Sequence, residues 1–382
     1  KGGISWIKYQ PEPIKNNNMQ TTNRRHWIKQ ASLAIAGIGF ATESFGHAPK
    51  MMPPGPNIRL SANENPYGPS PFARKAMTDM VTLSNRYPFS DLTGQVRERI
   101  GKEHQLDKEH VLLGAGSSEI LGLVAQLAAS RQGNAVSANP TFGIWWTAAQ
   151  RGGLNIIKVP LTAGKGHDLP AMLAAINSDT RLVYVCNPNN PTGTITETMA
   201  LKEFITTVSQ QTMVLLDEAY IEYCDEPSLA SMVASNKNII VAKTFSKIYG
   251  MAGARIGYAL AHPETIRQLG QFQPWENAGA SRVSLAGALA SLDDTAFVSD
   301  SKKWNAGARE YTRKELEKLN IRTIPSHANF LYLSVNDYPQ DYHARLAANH
   351  ILGGRMVEEE GRWARITIGT GEEMKAYIRA LQ

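Results

Sequence analysis

From about residue 85 to 270 the chain alternates short β-branched or apolar runs with longer stretches of helical spacing. Short apolar runs bounded by turns predict strands, and apolar positions recurring every three or four residues predict helices. Their alternation predicts an α/β fold built on a mostly parallel sheet flanked by helices. Val-Leu-Leu at 111–113 predicts a strand, and 118–129 the helix that follows it. Residues 182–186, 214–216 and 239–242 predict further strands, and 256–260 reads as another. These runs lead into polar or glycine-bearing loops, and in such sheets ligands bind at the C-terminal strand ends. Beyond residue 273 the pattern turns helical and then gives alternating strands at 330–333 and 365–368, a smaller α+β domain. The expected organisation is an N-terminal extension over 1–50, an arm over 51–84, a large domain over 85–273 and a small one over 274–382.

A chain of 382 residues with 42% hydrophobic and 19% charged residues has the composition of an ordinary globular protein. Its formal charge of +6 is unevenly spread. Seven Lys and Arg fall within residues 1–50 against Glu12 and Glu43, so the rest of the chain carries only +1 of the total. A nearly neutral body argues against a nucleic-acid partner. Cys186 and Cys224 are the only cysteines, which excludes a disulfide framework or a Cys-rich metal site, and the nine histidines show no metal-ligand spacing.

The N-terminal basicity has its own pattern. Arg24 and Arg25 precede Trp27, Ile28 and Lys29, then a small apolar run over 31–40, then Ala48. This resembles a twin-arginine export signal, which engages the membrane only in passage. The apolar run is far shorter than the roughly 20 residues of a spanning helix. The expected location is periplasmic, with a cytoplasmic enzyme carrying an amphipathic N-terminal helix as the alternative. A route for folded proteins lets a cofactor be captured before crossing.

Four segments carry candidate chemistry. Gly-Ala-Gly-Ser-Ser-Glu at 114–119 lies between a strand and a helix, where Ser117 and Ser118 bring hydroxyls and amides to a helix N-terminus suited to an anion. The spacing is not that of a nucleotide P-loop. Asn190 sits in a Pro- and Gly-fixed loop after a strand, and Asp217 ends the next strand with Tyr220 three residues on. Ser246-Lys247 follows a further strand, and Arg255 comes eight positions later. A hydroxyl and a planar guanidinium beside a lysine suit phosphate binding next to a nucleophilic amine.

In this order the segments resemble the fold-type I pyridoxal-phosphate aminotransferases of class I/II, in particular the histidinol-phosphate aminotransferase-like branch. The resemblance runs from Leu-Ser-Ala-Asn-Glu-Asn-Pro-Tyr-Gly at 60–68 to Ala-Arg-Ile-Thr-Ile-Gly at 364–369. It implies a mostly parallel sheet of seven-stranded type, with pyridoxal 5'-phosphate as cofactor, joined to Lys247 as a Schiff base, and Lys247 as the proton carrier. It implies that Asp217 faces the cofactor's ring nitrogen, that Asn190 and Tyr220 bond its phenolic oxygen, and that Phe142 stacks on the ring. Ser117, Ser118, Ser246 and Arg255 would bind the phosphate, with Tyr87 donated by the other subunit of a homodimer. Arg365 would clamp the substrate α-carboxylate, Asn63 would border the substrate, and Arg355 would meet its far end. The substrates implied are an amino acid, or a histidinol-phosphate-like amine, and a 2-oxo acid. The chain departs from the family at 51–56, where histidinol-phosphate enzymes commonly carry a Pro-Tyr segment and Met-Met-Pro-Pro-Gly-Pro stands here. A decarboxylase or lyase on the same scaffold stays open, because cofactor motifs place the electron sink and not the scissile bond.

Overall fold

The computed structural model describes residues 57–88, 91–336, 338–356 and 362–382. The export motif and the 51–56 segment lie outside the described residues. The strands run in chain order β1 (Ile58–Leu60), β2 (Val111–Gly114), β3 (Gly133–Asn139), β4 (Leu154–Pro160), β5 (Thr180–Cys186), β6 (Met213–Asp217), β7 (Ile239–Thr244), β8 (Gly257–Ala261), β9 (Thr323–Ile324), β10 (Phe330–Ser334), β11 (Ile351–Gly353), β12 (Arg355–Met356) and β13 (Trp363–Thr367).

Seven of them form one sheet in the order β2-β8-β7-β6-β5-β3-β4. Neighbours from β7 to β4 pair in parallel, and β8 alone is reversed against β7 and β2. The expected strands are all present, and β3 and β4 extend the parallel edge beyond them. The central strands β5 to β8 are apolar at most positions because helices cover both faces. Along β5, Val183 and Val185 enter one core while Leu182, Tyr184 and Cys186 enter the other. Alternation along β6 divides Val214 and Leu216 from Leu215 in the same way.

The helix Ser117–Ala128 buries Ile120, Leu121, Leu123 and Val124 against the second of these cores. It starts at Gly116, whose φ of +82° favours glycine. A third core lies around the antiparallel sheet β12-β13-β10-β9 and the helix Gly371–Leu381, which Thr370 and Glu373 close with a capping box. The arm is tied to this C-terminal region, since β1 pairs in parallel with β11. Among the described residues, no helix is long and apolar enough to cross a membrane.

Candidate active site

The C-terminal ends of β5, β6 and β7 gather the polar residues of one cavity of about 360 Å³. Asn190 lies beyond β5, Asp217 closes β6, and Ser246 and Lys247 follow β7. Ser117 and Ser118 reach the cavity from the helix after β2, Phe142 from beyond β3, Arg255 from just before β8, and Arg365 from β13. The arm supplies Ser61, Ala62, Asn63 and Glu64. Eleven of the thirteen sequence-predicted residues therefore surround one space. Tyr87 lies elsewhere on this chain, and Arg355 is the ladder partner of Arg365 between β12 and β13.

At one end of the cavity, Arg255 holds φ at +53° and extends its guanidinium toward Ala115 O (3.0 Å), Ala252 O (3.0 Å) and Ser246 Oγ (3.4 Å). A Cβ on Gly116 would stand 2.2 Å from Arg255 Nη2, so only glycine lets the turn lie against the arginine. The turn, the helix N-terminus and Arg255 make a cradle for a dianion.

At the other end, Arg365 donates through Nη1 to Asn190 Oδ1 at 2.7 Å and through Nη2 to Ser61 O at 2.8 Å. Asn190 and Asn63 each donate from Nδ2 to the Tyr220 hydroxyl, at 3.2 and 3.0 Å. Asn63 is in the left-handed region (φ 53°), and its backbone N–H donates to Thr367 Oγ1 at 2.8 Å.

Between these ends lie Lys247 and Asp217. Lys247 Nζ donates to Asn63 O at 3.1 Å and Ala62 O at 3.3 Å, neither of them an anion. Burial, and next the guanidinium of Arg365, push its amine down to about 8, against the pull of Glu64 and Asp217. Asp217 is buried, and desolvation pushes its carboxyl up to about 6. Two neutral donors oppose that shift, the Tyr184 hydroxyl at 2.9 Å and the Ala219 backbone N–H at 3.1 Å. The adjacent Glu218 is held apart by Lys243, Ser228 and the Leu229 N–H, and Lys243 also bridges to Glu222 at 2.8 Å. Only one of two neighbouring carboxylates therefore serves the cavity.

A profile of the family described as "Aminotransferase class I and II" matches residues 56–381. The chain belongs to this family. It is 37% identical over 330 residues to the histidinol-phosphate aminotransferase of Moorella thermoacetica, covering 85% of this chain and 84% of that one. It is 35% identical over 336 residues to the aromatic amino acid aminotransferase of Mycolicibacterium smegmatis, covering 87% and 91%. The histidinol-phosphate aminotransferase of Sinorhizobium meliloti, solved in complex with pyridoxal-5'-phosphate, superposes with a TM-score of 0.79 at 25% identity, covering 89% of this chain and 97% of that one. The chain is a pyridoxal-phosphate-dependent aminotransferase of fold type I.

The residues present fit that cofactor. The Gly116 cradle suits its phosphate, and a buried carboxylate with only neutral hydrogen-bond donors suits its cationic ring nitrogen. Trp145 and Trp146 belong to the core and not to the cavity lining. Trp145 is buried 5.2 Å from the Tyr184 ring, and Trp146 packs against the same cluster under Lys158. Sequence reasoning missed Tyr184, Thr367 and the Ser61 carbonyl. The signal for Tyr184 was its place two residues before Cys186 on one face of a strand adjoining that of Asp217.

Proposed function

We propose that the chain transfers the amino group of an α-amino acid to a 2-oxo acid, with Lys247 as the proton carrier and Arg365 as the carboxylate site. The observation that carries this reading is the placing of a neutralisable amine and a forked cation in one cavity, linked through Asn63, Tyr220 and Asn190. The cofactor supplies a ring that accepts the electron pair left when a bond at the substrate Cα breaks. Lys247 Nζ, neutral above about pH 8, takes the proton from that Cα. Arg365 binds the α-carboxylate and so fixes which Cα bond faces Lys247. Tyr220 and Asn190 would hold the cofactor's phenolic oxygen by hydrogen bonds, and Phe142 would pack on its ring. Glu64 also borders the cavity, but its carboxylate is paired with Arg59 at 2.7 Å, so it does not by itself select between an amino acid and a phosphorylated amine. A half-reaction screen with aromatic and basic amino acids, glutamate and histidinol phosphate tests this. Conversion of the cofactor to its amine form by an amino acid supports transfer, whereas release of CO₂ or ammonia would assign the chain to the decarboxylases or lyases.

A second copy is proposed to complete the site. Tyr87 and Trp275 are 67% and 51% exposed, meet edge to face at 6.1 Å, and wall a cleft with Pro88 and Arg282. Exposed aromatics at a cleft suit an interface, through which Tyr87 reaches the partner's phosphate. Sedimentation should give a dimer, and Tyr87→Phe should weaken cofactor retention in it. A monomer with unaltered retention would refute this arrangement. The Arg24-Arg25 motif supports export of the folded, loaded enzyme, which fractionation with N-terminal sequencing checks.

A further inference from the structure

We propose that Tyr184 is a positioning residue for amino transfer: its hydroxyl fixes the plane of the Asp217 carboxylate and keeps it anionic toward the cofactor's ring nitrogen. The inference rests on the reading that Asp217 faces that nitrogen. Tyr184 and Asp217 lie on adjacent parallel strands, with Cys186 paired to Asp217 and Tyr184 to Leu215. Tyr184 thus stands one side-chain step behind Asp217 on the same sheet face and reaches forward to donate to Oδ2 at 2.9 Å. Ala219 N–H donates to Oδ1 at 3.1 Å. With one donor on each oxygen, rotation of the carboxylate is stopped and its remaining lone pairs stay directed into the cavity.

The ring that carries this hydroxyl cannot move aside. Tyr184 is completely buried, packed against Trp145 at 5.2 Å and enclosed by the cluster that includes Leu215 and Ile240. Burial pushes the Tyr184 phenol well above its ordinary range, so it stays protonated and acts on the carboxylate as a donor. The other titratable groups facing Asp217 are Lys247, Glu218, Cys186 and Tyr220. Lys247 favours the anion and Glu218 opposes it, the latter already held by Lys243. Cys186 and Tyr220 are both pushed up by burial and stay neutral. Tyr184 and Ala219 are therefore the groups that offset the desolvation of Asp217 by direct contact.

Tyr184→Phe removes the hydroxyl and keeps the ring. A hydrogen bond to an ion favours the ionised form, so its loss raises the Asp217 pKa by about one unit, a tenfold change in its ionisation. The first readout is the Asp217 carboxyl titration in apoenzyme, followed by carbon-13 NMR of labelled aspartate and assigned with Asp217→Asn. The second is the acidic limb of the kcat profile in holoenzyme. Both should move to higher pH together, with kcat recovering at alkaline pH. Fluorotyrosine at position 184, a stronger donor of nearly the same shape, should move the titration the opposite way, which covers the case in which Tyr184→Phe fails to fold. An unmoved titration in either variant overturns the proposal, as does a uniform fall in kcat with no pH shift. If the titration moves while Asp217→Asn retains full activity and cofactor affinity, the fault lies in the role given to Asp217 and not in the Tyr184 contact.

Discussion

The side-chain amide of Asn63 donates to the Tyr220 hydroxyl at 3.0 Å, joining an arm residue to the loop after β6. Asn190 donates to the same oxygen, so both phenolic lone pairs are engaged and the hydroxyl hydrogen must point elsewhere, into the cavity. Asn63 therefore acts on this site as an orienting group for Tyr220, besides lining the cavity beside the substrate position.

Substitutions at Asn63 separate that role from its backbone role. Losing one neutral hydrogen bond costs about 1 kcal/mol, or roughly fivefold in kcat/KM. Asn63→Gly should show that loss with only the stability cost of two buried side-chain hydrogen bonds, to Tyr220 and from Thr367, because glycine accepts the φ of 53°. Asn63→Ala should show the same kinetic loss and a further ~1 kcal/mol of destabilisation from the left-handed backbone. Equal melting temperatures for the two variants would contradict the division.

Lys247 should react as an amine of depressed basicity. Its fall to about 8 means that the free-base fraction rises about tenfold between pH 6 and 7 and levels off above 8. A neutral amine-reactive aldehyde applied to apoenzyme, with Lys247→Ala as background, measures this directly. Labelling that climbs steadily to pH 10 would show an ordinary lysine. Arg365→Gln removes the nearby guanidinium and should shift the plateau to higher pH.

Arg365 binds as a fork, with one arm on Asn190 and the other on Ser61. Lysine keeps the charge and loses the planar geometry. A charge-assisted hydrogen bond is worth about 1.5–3 kcal/mol, so Arg365→Lys should raise KM for carboxylate substrates roughly 10- to 100-fold. The cofactor should stay bound, since the phosphate cradle is at the opposite end of the cavity. Cofactor loss in parallel with the KM change would place the arginine at the wrong ligand.

The parts of this molecule that were legible in sequence are those fixed by local pattern. Apolar runs such as 214–216 mark buried strands, and the polar residues at their ends mark a ligand site because the chain has to leave the sheet there. β3 was harder to read, since Gly-Asn-Ala-Val-Ser-Ala-Asn contains polar residues that only tertiary partners make tolerable. Asn134, for example, is satisfied by Asn177 and Thr180, more than forty positions away. Asn63 and Tyr184 were underread for the same reason. Each reads locally as a turn or a core residue, and its functional partner comes from a distant segment.

Gly250 joins the catalytic loop to the arm, and its substitution tests whether that seam matters. It has φ of +69°, and a Cβ there would lie 2.0 Å from Gly68 O, a backbone atom that cannot swing aside. Gly250→Ala must therefore push the arm away from the lysine loop or strain both. Displacing the arm breaks the carbonyl contacts of Ala62 and Asn63 with Lys247 and the Asn63 bond to Tyr220. The expected result is a destabilisation of roughly 2–4 kcal/mol, read as a lowered melting temperature, with kcat falling further than the loss of folded protein explains. If kcat per folded molecule is unchanged, the arm contributes stability alone and its contacts to Lys247 and Tyr220 are dispensable for turnover.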